Sequence, residues 1–198
     1  MNALRSGFVG IMLLWLPGVA SAHSPIKGLD NFYAGLLHPV FVPAHLLSVL
    51  ALGIFFGQRG PKRVQPAIIA FLGATLLGLA ATAVAIPVNV ELPLLIGAAA
   101  TGGLVALDRQ LPLAVCVALA AALGLMIGFD SAQPQLFGRA WLAALLGSGI
   151  AVYLLLLYAM VFADWFGKRH WQRIGLRVLG SWAVASSLLV LSLAFVAA

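Results

Sequence analysis

Charge is scarce in this chain: only 8% of its 198 residues are Asp, Glu, Lys or Arg, and just five are acidic. A soluble domain carries about 25% charged residues, so a globule of this composition could not cover itself with polar surface. Cysteine is nearly absent as well. Cys116 stands alone in an apolar run, which excludes an internal disulfide framework and a cysteine-built metal cage within one chain. Several chemistry-bearing motifs are missing too: there is no Gly-rich phosphate loop, no HExxH zinc motif and no G-x-S-x-G elbow. An ATP-driven pump is thereby excluded within this chain, and an enzyme is not expected.

What fills the chain is hydrocarbon. Hydrophobic residues make up 63% and mean hydropathy is +1.10. The expected class is all-α: a polytopic membrane helix bundle with no soluble domain. The net charge of +6 does not point to nucleic acid, because the eleven Lys and Arg sit in short clusters between apolar runs. That placement serves topology in a bilayer.

Residues 1–22 have the parts of a secretory signal peptide: Arg5, the apolar stretch Gly7 to Leu16, and the ending Ala20-Ser21-Ala22. The run is also short for a span, which needs about 20 residues. Cleavage after Ala22 is expected, an uncleaved anchor being the alternative. His23 would then be the new N-terminus, offering its α-amine and ring nitrogen together as a bidentate metal chelate. The plainer reading is that it merely begins a leader.

Beyond that leader, apolar runs predict spans at about 31–57, 65–86, 92–107, 112–129, 138–163 and 174–197. The third and fourth are near the lower length limit for crossing. With the mature N-terminus outside, the inner loops and their flanks hold Arg59, Lys62, Arg63, Arg109, Lys168, Arg169, Arg173 and Arg177. The outer segments hold only Lys27 and Arg139. This positive-inside bias agrees with the signal-peptide direction and predicts an inner-membrane protein with both mature ends outside. Glycines dense within the spans, such as Gly78, Gly124 and Gly128, let helix backbones approach closely in lipid.

Polar chemistry enters the membrane in the first span, which holds His38, Pro39, Pro43 and His45. Seven residues separate the two histidines, about 10 Å along a straight helix. Metal ligands lie about 2 Å from their ion, so a straight helix could not bring both rings to one ion. Each proline removes a backbone donor and can bend or open the helix. The freed carbonyls could bind cations, or the bend could shorten the gap. Ionisable residues inside a membrane commonly mark ion or proton pathways; the competing reading is a pair of neutral histidines hydrogen-bonded to neighbouring helices. Asp30, Glu91 and Asp130 all fall outside or at outer helix ends in this topology. With His23 and His38 they could form an imidazole-plus-carboxylate entrance, and mixed N/O ligation suits divalent metals such as Ni, Co or Zn. Each acid taken singly reads as a solvated loop charge. His170, in the basic inner loop, reads as a solvated loop residue, and Asp108 and Asp164 as partners for Arg109 and Lys168.

The stretch Phe32-Tyr33-Ala34-Gly35-Leu36-Leu37-His38-Pro39, continuing to His45-Leu46-Leu47, resembles the first span of the HupE/UreJ family of small membrane proteins. That family's pattern is F-x-x-G-x-x-H-P-x-x-G-x-D-H-L-L after a signal peptide. The likeness covers residues 20–60 in detail and the rest only in size and span count. It implies a protein associated with hydrogenase and urease gene clusters and regarded as a nickel or cobalt permease, with His38 and His45 as candidate ligands. Two features differ. Ala44 stands where the family has Asp and Val42 where it has Gly; and the later H-G-x-x-H motif has no counterpart, the nearest stretch being Gly128-Phe129-Asp130-Ser131.

The leading expectation is therefore a secondary permease or channel for a divalent transition metal, the ion being substrate and no cofactor being tightly bound. Imidazoles could exchange a proton for the ion, since their ordinary pKa of about 6.5 lies in the working range. The alternative is a non-transporting accessory or assembly subunit for a metalloenzyme, docking maturation partners or anionic lipid through Lys168 to Arg173. A haem protein is disfavoured, because no other span offers a histidine. Homo-oligomerisation is left open.

Overall fold

Prolines punctuate the chain where helices begin. Pro43, Pro66 and Pro112 stand at or beside helix starts, where a missing N–H costs nothing because the first amides of a helix have no intrahelical partner. The computed structural model describes residues 29–84, 89–131, 133 and 135–197. The expected signal peptide and His23 lie outside the described residues. Those described form helices α1 (Leu29–Phe41), α2 (Pro43–Arg59), α3 (Gln65–Ala81), α4 (Glu91–Ala106), α5 (Leu113–Asp130), α6 (Gly138–Phe166) and α7 (His170–Ala197), with a short 3-10 turn at Thr82–Val84 and no strand among them. The protein is an all-helical membrane bundle. By length and composition α5, α6 and α7 can each cross a bilayer, and α1 with α2 would supply a fourth crossing if the bent pair is one span. The apolar α3 and α4, at 17 and 16 residues, are shorter.

The segment expected as one span over 31–57 is two helices bent by 71°. The cause is local. Val42 is extended (φ −91°, ψ 108°) and Pro43 begins the second helix. Proline excludes the α conformation from the residue before it. Inside α1, Pro39 withholds the amide that would bond the carbonyl of Gly35 four residues back. The hydroxyl of Ser148 on α6 donates to that carbonyl instead, at 3.0 Å. That carbonyl is thus taken by the protein and does not face a cation, as the sequence alone allowed.

Helix α2 lies at the centre, against α6 on one side and α4 on the other; α7 packs on α4, and α1 crosses α6. These contacts come down to backbone. A Cβ on Gly35 would collide with the carbonyl of Ala144, one on Gly57 with that of Met160, and one on Gly180 with that of Gly102. Helices α3 and α5 form a second, equally close pair, where Gly78, Gly124 and Gly128 leave no room for a side chain. Between the pair and the larger group the glycine contacts are of a different kind. Leu123 of α5 seats against Gly97 of α4, and Leu79 of α3 against Gly149 of α6, side chain to backbone. The core that joins the two parts is large and apolar, with Leu52, Phe55 and Phe56 of α2, Phe71 of α3, Leu94 and Leu95 of α4, and Leu123 and Ile127 of α5 all buried.

Charge gathers at one end. There Arg173 binds Asp108 at 2.9 Å, Arg177 Nε donates to the Ala106 carbonyl at 2.7 Å, and Arg59 donates to the Arg109 carbonyl. Asp108 thus pairs with Arg173 across the bundle and not with its neighbour Arg109. It lies just beyond the end of α4, with a positive φ of 51°, where Arg173 of α7 reaches it. Asp164 pairs with Lys168 at 3.4 Å, as their spacing of four in sequence implies.

Candidate metal-handling site

His38 occupies the last turn of α1 and His45 the first turn of α2, on either side of the bend. The fold at Val42 brings their rings to 5.2 Å between centroids, edge to face, about half the separation a straight helix would impose. His45 is completely buried. Its Nε2 lies 2.9 Å from Oδ2 of Asp130, the final residue of α5. The oxygen sits off the direction a hydrogen bond needs, so Nε2 has an ion-pair neighbour but no directed partner. Asp130 is 27% exposed.

Among the described residues, three buried ring nitrogens, Nε2 of His38 and both nitrogens of His45, have no directed hydrogen-bond partner. An unsatisfied buried polar atom costs about 1–3 kcal/mol. Paired histidines serving only as packing would be expected to bond neighbouring helices, as Ser48 does with the carbonyl of Leu94 at 3.1 Å and Ser148 with that of Gly35. Here the neighbouring helix is α5: the Asp130 backbone lies beside His38 and its carboxylate beside His45. Two helix ends add to this. The C-termini of α1 and α5 carry partial negative charge that favours a cation nearby by roughly 0.3–1 kcal/mol each, partly offset by the N-terminus of α2.

The sequence-derived set is thus only partly brought together. His38, His45 and Asp130 adjoin. Asp30 is exposed in the first turn of α1, about 12 Å along the helix from His38. Glu91 is exposed at the start of α4, where its amide donates to Asn89 Oδ1 at 3.1 Å. His23 is outside the described residues. His170 is exposed at the basic end, away from the imidazole pair. Among the described residues no three His, Cys, Asp or Glu side chains close into a metal-coordination shell. The constellation is an imidazole pair with a carboxylate at one edge. Sequence reading passed over Ser148, which satisfies the carbonyl that Pro39 orphans. The signal was present in Pro39, but its partner lies far along the chain.

The fold and this site define a helical membrane protein with an imidazole pair, one ring fully buried, beside the break between α1 and α2. A family model described as HupE / UreJ protein matches residues 11–191, and the chain belongs to that family. Neither a curated protein nor a solved structure matches the chain. Where the family pattern has Asp immediately before the second histidine, this chain has Ala44, and Asp130 of α5 sets a carboxylate beside His45 from another helix.

Proposed function

We propose that this protein carries a divalent transition metal ion, of the nickel or cobalt class, across the inner membrane as a secondary permease or channel. The observation that carries this reading is the His38–His45 pair, 5.2 Å apart with His45 fully buried, three of its ring nitrogens having no directed partner among the described residues and the Asp130 carboxylate standing 2.9 Å from His45. Membership of a family associated with nickel and cobalt transport supports it. In this reading Asp130, the more exposed member, meets the ion and passes it to the imidazoles. Nitrogen and carboxylate donors together suit such metals. An unclosed shell suits transit, because conduction needs binding strong enough to admit an ion and weak enough to release it. Membrane potential or a proton gradient would supply the energy, and both mature ends would face outside, with the basic loops inside.

The test is radiometal uptake by protein reconstituted in liposomes, across Ni, Co, Zn, Cu and Mn, with His38→Ala and His45→Ala beside the wild type. Loss of uptake in both, with undiminished protein in the bilayer, is the expected result. Unchanged uptake in both variants would sink the proposal.

The lack of a third closing ligand among the described residues favours one other reading, a non-transporting accessory subunit in metalloenzyme maturation. It would show as wild-type liposomes inert to every metal while a maturation partner co-purifies with the chain.

A further inference from the structure

We propose a second site at the opposite, basic end of the bundle: a cleft that binds the phosphate of an anionic phospholipid headgroup. It is independent of the metal-handling reading. The cleft, about 350 Å³, opens between the ends of α2, α6 and α7 and is lined by Gln58, Arg59, Asp164, Lys168 and Arg173 among others. Three cationic side chains thus face one carboxylate across a space large enough for a phosphate group.

The cations are presented in different ways. Arg59 is held in place, donating to the Phe55 carbonyl at 3.0 Å with its guanidinium 3.3 Å above the Phe55 ring. Its other terminal nitrogen donates to the Arg109 carbonyl and its Nε is buried with no acceptor among the described residues, so Arg59 gives the cleft fixed positive charge. Arg173 is fixed by Asp108 at 2.9 Å but remains 59% exposed, so its other nitrogens are available. Lys168 is the most exposed member, at 66%, with Asp164 3.4 Å away. A rigid guanidinium, a second one partly neutralised, and a flexible ammonium together can surround a tetrahedral oxyanion.

The neighbouring sequence favours a lipid over free phosphate. Trp165 follows the lining Asp164 and Trp171 stands between the lining Lys168 and Arg173, with 72% and 59% of their surface exposed; Phe162 and Ile174, on the same helices, are exposed too. Exposed tryptophans at helix ends mark headgroup depth, where an amphipathic ring is at home. Acyl chains of a bound lipid would lie along those apolar side chains, whereas inorganic phosphate would gain nothing from them. Basic pockets between membrane helices recognise anionic headgroups by this combination.

The experiment is native mass spectrometry of the full chain in a non-ionic detergent, titrated separately with phosphatidylglycerol, phosphatidylcholine and inorganic phosphate. Saturable binding of phosphatidylglycerol alone is expected. The double variant Lys168→Gln, Arg173→Gln should weaken it about thirtyfold, the size that two such cations at an anionic surface amount to. Lys168→Gln alone, at an exposed position that the fold does not need, should weaken it about fivefold. Lys62→Gln with Arg63→Gln, basic residues of the same end outside this cleft, should leave it unchanged. Equal binding of phosphatidylcholine, or wild-type binding by Lys168→Gln, would overturn the site. Phosphate binding as tightly as the lipid would overturn the choice of ligand.

Discussion

Nε2 of His45, at the start of α2, stands 2.9 Å from Oδ2 of Asp130, at the end of α5. The two residues belong to two parts of the bundle, each closely packed through glycines: α2 to the group with α4 and α6, α5 to the pair with α3. A polar contact thus sits where the parts meet, beside a core that is otherwise apolar. It also supplies His45 with a carboxylate that Ala44 does not offer.

Asp130→Asn keeps the shape of that side chain and removes its charge. If Asp130 meets the incoming ion, metal uptake should fall at least about tenfold, the effect of losing roughly 1.4 kcal/mol of attraction for a dication. Folding should be preserved, because the aspartate is partly exposed and makes no directed hydrogen bond to His45. Initial-rate uptake in liposomes, with a thermal melt on the same preparation, reads both effects.

The bond from Ser148 to the Gly35 carbonyl replaces the one that Pro39 removes. Ser148→Ala should therefore destabilise the protein by about 1–3 kcal/mol, the cost of an orphaned buried carbonyl. In a Pro39→Ala background the amide of residue 39 can reclaim that carbonyl, and the same serine change should cost distinctly less. A double-mutant cycle of thermal stabilities measures the coupling. Additive effects would show that the two residues do not share the carbonyl.

Pro43→Ala should relax the bend at Val42 by lifting the restriction on the residue before it. Straightening α1 onto α2 would draw the rings apart from 5.2 Å toward about 10 Å. Uptake should fall while helix content by circular dichroism stays the same or rises. Distances between spin labels flanking position 42 would record the change directly.

Glycines in the same helix should differ sharply. Gly78→Leu places a side chain into the backbone of α5 at Leu125 and should prevent close pairing of α3 with α5, with loss of folded protein. Gly73→Ala meets nothing within 4 Å and should be neutral or stabilising by about 0.5–1 kcal/mol, the helix preference for alanine. Expression and melting temperature of the two variants decide it.

Much of this was legible in the chain. Scarce charge and long apolar runs require helices in a bilayer, since only structures that satisfy their own backbone survive there. His38, Pro39, Pro43 and His45 marked the polar segment, and the apolar runs placed the helices. The size of the bend was not legible. Prolines permit a break, but its 71° angle depends on where α1 finds a place to pack, and that place is the Ala144–Gly147 surface of α6. Nor could sequence distinguish among Asp30, Glu91 and Asp130, because each looked like a solvated helix-end charge.

Composition and order of residues determined the class of this protein, the approximate helices and the pair of imidazoles, because solvent and backbone chemistry act on each segment by itself. Tertiary structure alone decided that those rings adjoin, that Asp130 and neither Asp30 nor Glu91 stands against His45, and that Arg59, Lys168 and Arg173 share one cleft. The reason is that a contact between distant segments depends on how close their helices can come. Here that closeness is governed by glycines and by the side chains that face them.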